Sequence, residues 1–388
     1  MAVHTFYCPS WIDVGKGVLN TLPDIVKPYG KNVFVVMDAF FANHPLKDRI
    51  TGLLPGCEVK FYTKVTPNPR TNDIDEGAGI CRDFGAEVIV AIGGGSAIDT
   101  AKAINIVATN GGGAWDYARR AGETPREIVK PLLPLIAVPT TSGTGSEATR
   151  YSVITDHITH AKSTIKTDLN FPVRSLVDPE LTVSVPRKTT ALTGIDAFAH
   201  CFESYIGTKA NPFSEMFSLQ GIKLFIHSIE RACENGNDME AREEMAMCST
   251  LGGLSITHSA TTLPHGIGQA LSGVTDAPHG GSIAVCMPEV IRWTLPYGQK
   301  KFAEVACMFD PSLASKSEEE QAYALPDILD NLFTKIAGEK MTMAKYGMTE
   351  EKIPAVVDMA FHNYKGDLSR HPRVPTEKEL TELIRKCL

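Results

Sequence analysis

The chain has 388 residues, well over the roughly 150 of a usual domain, so two packed domains with their own hydrophobic cores are expected and a single small binding module is excluded. Hydrophobic residues at 43% and charged residues at 21% describe an ordinary globular protein without disordered or fibrous bias. Against 45 Asp+Glu stand 38 Lys+Arg, a formal charge of −7 with no basic cluster, which excludes nucleic acid as a partner.

The first residues, Met1 to Tyr7, lack the basic-then-apolar order of a signal peptide. No uninterrupted apolar run reaches the roughly 18 residues that cross a bilayer. The nine cysteines are scattered and form no CxxC pair, which speaks against a disulfide framework or a thiolate zinc site. A cytoplasmic protein with no membrane partner is expected.

Residues 33–37 (VFVVM), 87–92 (EVIVAI) and 134–138 (PLIAV) are short continuous apolar runs bounded by Gly, Asp or Pro, the pattern of strands buried on both faces of a parallel sheet. Between the first two, Thr71-Asn72-Asp73 followed by Ile74, Ala78, Ile80 and Cys81 predicts a capped helix ending near Gly85. Strand, helix, strand implies a doubly wound α/β half. From about Pro186 the strand signals fade. Asn211-Pro212 predicts a helix start, with Phe213, Phe217 and Leu224 recurring at helical spacing, and the second half is expected to be all helical. The segment from Asp178-Pro179 to Pro186 is the expected junction, giving an α/β domain over 1–184 and an all-helical domain over 185–388.

Gly93-Gly94-Gly95-Ser96 follows a buried strand and leads into a helix. Such a turn can bring several N–H donors and the positive end of the helix dipole against a pyrophosphate. The alternative is that Ser96 and Asp99 form a capping pair and the glycines only a tight turn. Residues 139–147 (PTTSGTGSE) again follow a strand and offer five hydroxyls, suited to a nucleotide's sugar or phosphate, or else to a Ser/Thr turn capping the next helix. Two such loops at the carboxyl ends of successive strands point to a nucleotide, because open α/β sheets bind ligands there. Asp38 ends the first strand, where a carboxylate binds adenosine ribose hydroxyls and repels a 2′-phosphate, favouring NAD over NADP; the alternative is an ordinary loop Asp.

Asp196 and His200 are four apart, on one face of a helix, and can reach one ion, although such a pair also occurs as a cap or helix-face hydrogen bond. His265 and His279 each sit beside glycine in apolar sequence, where a histidine satisfied by a backbone carbonyl is the alternative. One Asp with three His is a nitrogen-rich set suited to Fe(II), Zn or another first-row divalent ion, able to polarise a substrate oxygen.

Taken together, residues 93–102 (GGGSAIDTAK), 139–147, 194–200 (GIDAFAH) and the His265/His279 pair fourteen apart resemble the iron-containing alcohol dehydrogenase family in motif order and spacing, from about residue 14 to the C-terminal tail. The resemblance implies an N-terminal Rossmann-like dinucleotide-binding domain and an all-α C-terminal domain, the fold shared with dehydroquinate synthase. It implies NAD and a divalent metal (Fe2+, with Zn2+ or Mn2+ as alternatives), a small alcohol or aldehyde substrate, and a homodimer or higher oligomer. Carried over by position, the metal ligands fall on Asp196, His200, His265 and His279. The nucleotide contacts fall on Asp38, Gly94, Gly95, Ser96, Asp99, Thr140, Thr141, Thr144 and Lys162. Residues 148–151 (ATRY) resemble members acting on short diols.

Two positions depart from the family pattern. Many members carry a proton-relaying histidine four residues after the third ligand, where this chain has Gln269, which cannot titrate. His258 stands where a small polar residue is common, seven residues before His265. In a continuous helix the two would share a face, with Pro264 as a break. The catalytic candidates are therefore His265, Gln269 and His258, with His258 either a substitute relay or a helix-end histidine bonded to a carbonyl. The expected reaction is hydride transfer between NAD(H) and a short-chain alcohol or aldehyde. The alternatives are a lyase or cyclase of the dehydroquinate synthase kind, whose polyanionic substrate needs a Lys/Arg cluster absent from residues 256–271, and a non-catalytic NAD-binding protein, against which the full ligand set argues.

Overall fold

The three continuous apolar runs form the middle of a parallel sheet, since residues of this kind must be covered on both faces. The computed structural model describes residues 3–120 and 122–388. The chain divides into an α/β unit, residues 7–141 and 145–183, and a helical unit, residues 3–6, 142–144 and 184–388. In chain order the α/β unit comprises β1 (Trp11–Val14), α1 (Leu22–Val26), β2 (Asn32–Asp38), α2 (Pro45–Leu53), β3 (Glu58–Val65), α3 (Thr71–Phe84), β4 (Val88–Gly93), α4 (Gly95–Asn110) and β5 (Leu135–Pro139). An antiparallel hairpin of β6 (Tyr151–Thr155) and β7 (Lys162–Lys166) follows, and then β8 (Arg174–Val177).

The main sheet runs β1-β8-β5-β4-β2-β3, every neighbouring pair parallel. Side chains alternate along β2: Val33, Val35 and Met37 cluster with Leu22 of α1 and Ile50 of α2, while Phe34 and Val36 cluster with Ile74 of α3 and Ile104 of α4. Helix α3 ends in Gly85, whose φ of 68° forms a left-handed C-cap. Its start differs from expectation. Arg70, not Thr71, is the flanking residue and gives no side-chain cap, and the Thr71 hydroxyl instead meets His157 Nδ1 at 2.7 Å.

From β2 the chain moves outward to β3, then crosses back over β2 to β4 and continues the other way to β5. The direction reverses between β2 and β4. At such a switch point the loops leave on opposite sides and a crevice forms beyond the carboxyl ends of the strands. Asp38 ends one of these two strands, and Gly94-Gly95-Ser96 follows the other.

The helical unit contains α5 (Arg187–Ile206), α6 (Pro212–Glu234), α7 (Met239–Ser259), α8 (Leu263–Thr275), α9 (His279–Ala284), α10 (Met287–Phe309), α11 (Glu318–Ala337), α12 (Ile353–Asn363), α13 (Lys365–Arg370) and α14 (Glu377–Lys386). Helix α5 is buried at every position from Gly194 to Ile206, so it is the axis around which the others pack. Glycines admit that packing: a Cβ on Gly221 of α6 would fall 2.4 Å from Cys201 Sγ, and one on Gly252 of α7 would fall 3.0 Å from His200 Cβ.

Asn211 caps α6 as its sequence predicts, accepting from the Phe213 and Ser214 N–H groups. The expected stripe of Phe213, Phe217 and Leu224 is only half-buried. The deeply buried face carries Ser214, Ser218, Gly221, Ile222 and Phe225, with Gly221 where α6 closes on Cys201 of α5, while Phe213 and Phe217 flank Phe6. At the expected junction Asp178 is not linker-like. It is buried and accepts from the N–H groups of Gly17, Leu19 and Glu180, and the units divide after Val183. Among the described residues no helix is long and apolar enough to cross a membrane.

Candidate functional site

Helix α5 places Asp196 and His200 one turn apart; α8 supplies His265 and α9 begins with His279. Asp196 Oδ1 lies 3.7 Å from His200 Nε2, 3.5 Å from His265 Nε2 and 3.6 Å from His279 Nε2. The four donor atoms all fall within 4.8 Å of one another. Asp196, His200 and His265 are buried, whereas the His279 side chain is 36% exposed.

Asp196 Oδ1 and His265 Nε2 are buried without a hydrogen-bond partner. Each such atom costs about 1–3 kcal/mol when nothing satisfies it. A divalent cation is the partner that this set of one oxygen and three nitrogen donors fits. Burial alone would raise the Asp196 carboxyl, but His200, His279 and His265 hold it well below the usual carboxylate range. Burial pushes the His200 imidazolium down against the pull of Asp196. It acts on His265 too, yet Glu203 and Asp196 outweigh it and hold that imidazolium up at about 10.

The glycines beside the histidines are explained by packing. A Cβ on Gly266 would lie 2.6 Å from Leu368 Cδ1, and one on Gly280 only 2.0 Å from the Leu192 carbonyl oxygen. His200 has a further fixed contact: its Nδ1 lies 3.3 Å from the carbonyl oxygen of Gly143, which leaves Nε2 for Asp196 and the ion. Sequence reasoning missed Glu203, fully buried on α5 with its Oε1 2.5 Å from His265 Nδ1. The available signal was its place seven residues after Asp196, on the same helical face amid apolar neighbours.

In the α/β unit, the Thr140 N–H donates to the Gly93 carbonyl at 2.9 Å, and a Cβ on Gly94 would meet Thr141 Oγ1 at 3.3 Å, so the two glycine- and threonine-bearing loops adjoin. Gly93 has φ of 150°, and a Cβ there would collide with Ala97 Cβ at 2.6 Å and press on Asp38 Cβ at 3.0 Å. The alternative of a Ser96/Asp99 capping pair fails. Gly94 is the N-cap of α4 and no side chain caps it, while Asp99 accepts from Ser146 Oγ at 2.6 Å and from the Val153 N–H at 2.9 Å. In the second loop Gly145 adopts φ 61° and ψ 19° just before the short turn Ser146–Ala148. Lys162 donates to Asn68 Oδ1 at 2.8 Å, and Thr144 lies in the segment grouped with the helical unit.

Lys102, given no role from sequence, is fully buried. Its ammonium donates to the carbonyls of Ser146, Thr149 and Tyr151 and to the hydroxyls of Ser146 and Thr149. It fastens the loop to α4. Thr149 is itself buried, and Arg150 pairs with Asp168 at 2.6 Å.

His258 and His265 do not share a helix. Helix α7 ends at Ser259, and Ala260 adopts φ 72°, ψ 178° before α8 begins. The break therefore comes four residues before Pro264. His258 Nδ1 lies 2.7 Å from the Leu254 carbonyl, and its ring stacks on Phe6 at 4.8 Å. Gln269 stands one turn beyond His265 on α8, half-buried.

A parallel sheet with glycine-rich turns at its switch point, and a cluster of one aspartate and three histidines on a helical unit, fit the class of nucleotide- and metal-dependent enzymes. The model of iron-containing alcohol dehydrogenases matches residues 9–179, and that of the C-terminal part of the same family matches 190–388. The NAD-dependent methanol dehydrogenase of Bacillus methanolicus is 31% identical over 386 residues, 99% of each chain. The 1,3-propanediol dehydrogenase of Klebsiella pneumoniae is 33% identical over 86% of this chain and 84% of its own length. The crystal structure of sulfoacetaldehyde reductase from Bifidobacterium kashiwanohense in complex with NAD+ is 28% identical, with a TM-score of 0.88 over 100% of this chain and 99% of the other. The chain belongs to the iron-containing alcohol dehydrogenase family. Membership sets aside the lyase alternative.

Proposed function

We propose that the chain transfers a hydride between NAD(H) and a short-chain alcohol or aldehyde, in the cytoplasm and as a homodimer or higher oligomer. The observation that carries this reading is the convergence of three imidazole Nε2 atoms on one buried, otherwise unsatisfied oxygen of Asp196. Asp196, His200, His265 and His279 would hold the divalent ion, Fe(II) by family and Zn(II) or Mn(II) by donor chemistry. When bound, the ion supplies Lewis-acid polarisation of a substrate oxygen, and NAD supplies the hydride carrier.

The N–H groups of Gly94, Gly95 and Ser96, at the uncapped start of α4, suit a pyrophosphate. Thr140, Thr141, Thr144 and Lys162 add donors, Asp38 takes the ribose hydroxyls, and Asp99 props the second loop from beneath through Ser146. Gln269 cannot titrate, so the proton that the product oxygen needs in aldehyde reduction would come from water and from the ribose hydroxyls of a bound cofactor. Names among the relatives, an NAD-dependent methanol dehydrogenase and a 1,3-propanediol dehydrogenase, support NAD and small alcohols. Nine unpaired cysteines support a reducing compartment.

The test is a panel of short aldehydes with NADH, run on protein reconstituted separately with Fe(II), Zn(II) and Mn(II). NADH oxidation that depends on both aldehyde and metal is expected. Failure of every aldehyde with every metal would overturn the reading.

A further inference from the structure

We infer that Glu203 is a positioning residue, which selects the tautomer of His265 so that a lone pair at Nε2, and not a proton, faces the ion. The inference rests on the metal reading above and goes beyond its four ligands.

Glu203 follows His200 by three residues and Asp196 by seven, so α5 turns all three side chains toward one side. It is excluded from solvent, as is His265. Its two oxygens are differently engaged. Oε2 receives the Thr262 N–H at 2.6 Å, the Thr262 hydroxyl at 3.0 Å and the His265 N–H at 3.4 Å. Oε1 lies 2.5 Å from His265 Nδ1. Two backbone N–H groups and a hydroxyl converge on Oε2, and donors gathered in this way favour the ionised carboxylate, which has no hydrogen to give at Oε1. An acceptor at Oε1 then requires hydrogen on Nδ1. With that hydrogen fixed on Nδ1, the one a bound cation would displace is on Nε2, and Nε2 is the atom 3.5 Å from Asp196 Oδ1.

The backbone leading to Thr262 is strained to make this arrangement. Ala260, at φ 72° and ψ 178°, occupies a region that side-chain-bearing residues rarely adopt. The connector is fixed on both sides: the Ser204 hydroxyl donates to the Ala260 carbonyl at 3.3 Å, Arg370 Nε donates to the Thr261 carbonyl at 3.2 Å, and the Thr261 hydroxyl donates to Asp367 at 2.8 Å. The α7–α8 connector thus delivers two Thr262 donors to Glu203, and α8 delivers His265 to its other oxygen.

A Glu203→Gln substitution keeps the shape and removes one acceptor. If the amide oxygen stays on Thr262, the amide NH2 faces Nδ1, and the imidazole must accept there and carry its hydrogen on Nε2, directed at the metal position. If the amide flips, the NH2 opposes three donors. Either way the His265 ligand is compromised.

The test is titration of the metal-free full-length protein with Co(II), read by its visible d–d band and by competition with a chelator, on the parent, Asp196→Asn and Glu203→Gln. The parent is expected to bind one equivalent, Asp196→Asn to lose the band, and Glu203→Gln to bind about 10- to 100-fold more weakly with a shifted band. Should the parent give no band, or one untouched by Asp196→Asn, the metal assignment fails and this inference with it. A normal parent titration lost in Asp196→Asn but unchanged in Glu203→Gln would overturn Glu203 alone. If Glu203→Gln does not fold, nitrogen-15 NMR of histidine in the Zn(II)-loaded parent decides, because Nδ1 of His265 must carry the hydrogen and a bare Nδ1 contradicts the inference.

Discussion

A Cβ added to Gly280 would fall 2.0 Å from the carbonyl oxygen of Leu192, a backbone atom of the helix that also carries Asp196 and His200. Gly280 follows His279, the first residue of α9, so this contact sets how close His279 comes to the other three donors. Gly280→Ala must push α9 outward. We expect Co(II) binding at least about tenfold weaker and a loss of roughly 1–3 kcal/mol in stability, as for other overpacked sites. Parent-like affinity in a folded Gly280→Ala protein would show that the Leu192 contact does not position His279.

Asp38 ends β2 with its Oδ1 accepting from the Phe40 N–H at 3.0 Å, which holds the carboxylate at the switch point beside Gly93. On the role proposed for it, Asp38→Gly would remove both a ribose acceptor and the repulsion of a 2′-phosphate. The ratio of kcat/KM with NAD to that with NADP should fall at least about tenfold, or 1.4 kcal/mol. Preference of the unaltered protein for NADPH would refute the role given to Asp38.

With Nδ1 on the Leu254 carbonyl and its ring against Phe6, His258 is employed in holding the end of α7. The profiles of kcat against pH for the parent and His258→Asn should superimpose. A limb near pH 6–7, the range of an imidazole, present in the parent and missing in the variant would instead make His258 the relay.

His371 is buried, and its Nε2 lies 2.8 Å from Thr294 Oγ1, which itself donates to the Val290 carbonyl and so accepts the imidazole hydrogen. Burial holds this imidazole down at about 3, against an ordinary 6.5. The folded chain therefore excludes a proton that the unfolded chain accepts below 6.5. Stability is full above 6.5 and falls as pH drops from 6.5 toward 3. At about pH 4.5, two units below the unfolded value, the loss is of the order of 2–3 kcal/mol. Denaturant melts of metal-free parent and His371→Gln at about pH 7 and 4.5 should differ in their pH dependence by that amount, and equal dependence would exclude His371 as a cause.

Some of this was legible in the sequence for physical reasons and some was hidden for equally physical ones. The inner strands β2, β4 and β5 must be apolar throughout, which made them readable as runs. The edge strand β3 alternates Glu58, Lys60 and Lys64 with apolar residues, and charge on an edge guards against pairing with other chains, so it carries little strand signal. Asp196 and His200 announced themselves through helical spacing. Glu203 and Lys102 did not, because a buried charge is recognised by its partners, and those of Glu203 on α8 lie 62 residues away. Ala260 hid the break between His258 and His265, since nothing about an alanine forecasts a left-handed φ.

Three donors of the cluster are sealed in the interior, and the fourth, His279, is half-exposed at the head of a helix only six residues long. The ligand set thus has an open side and a closed one: solvent reaches the His279 side chain, while Ile283 and Ala284 tie its helix into the same core as α5. An ion taken up here would be approached from the His279 side, with the three buried donors behind it.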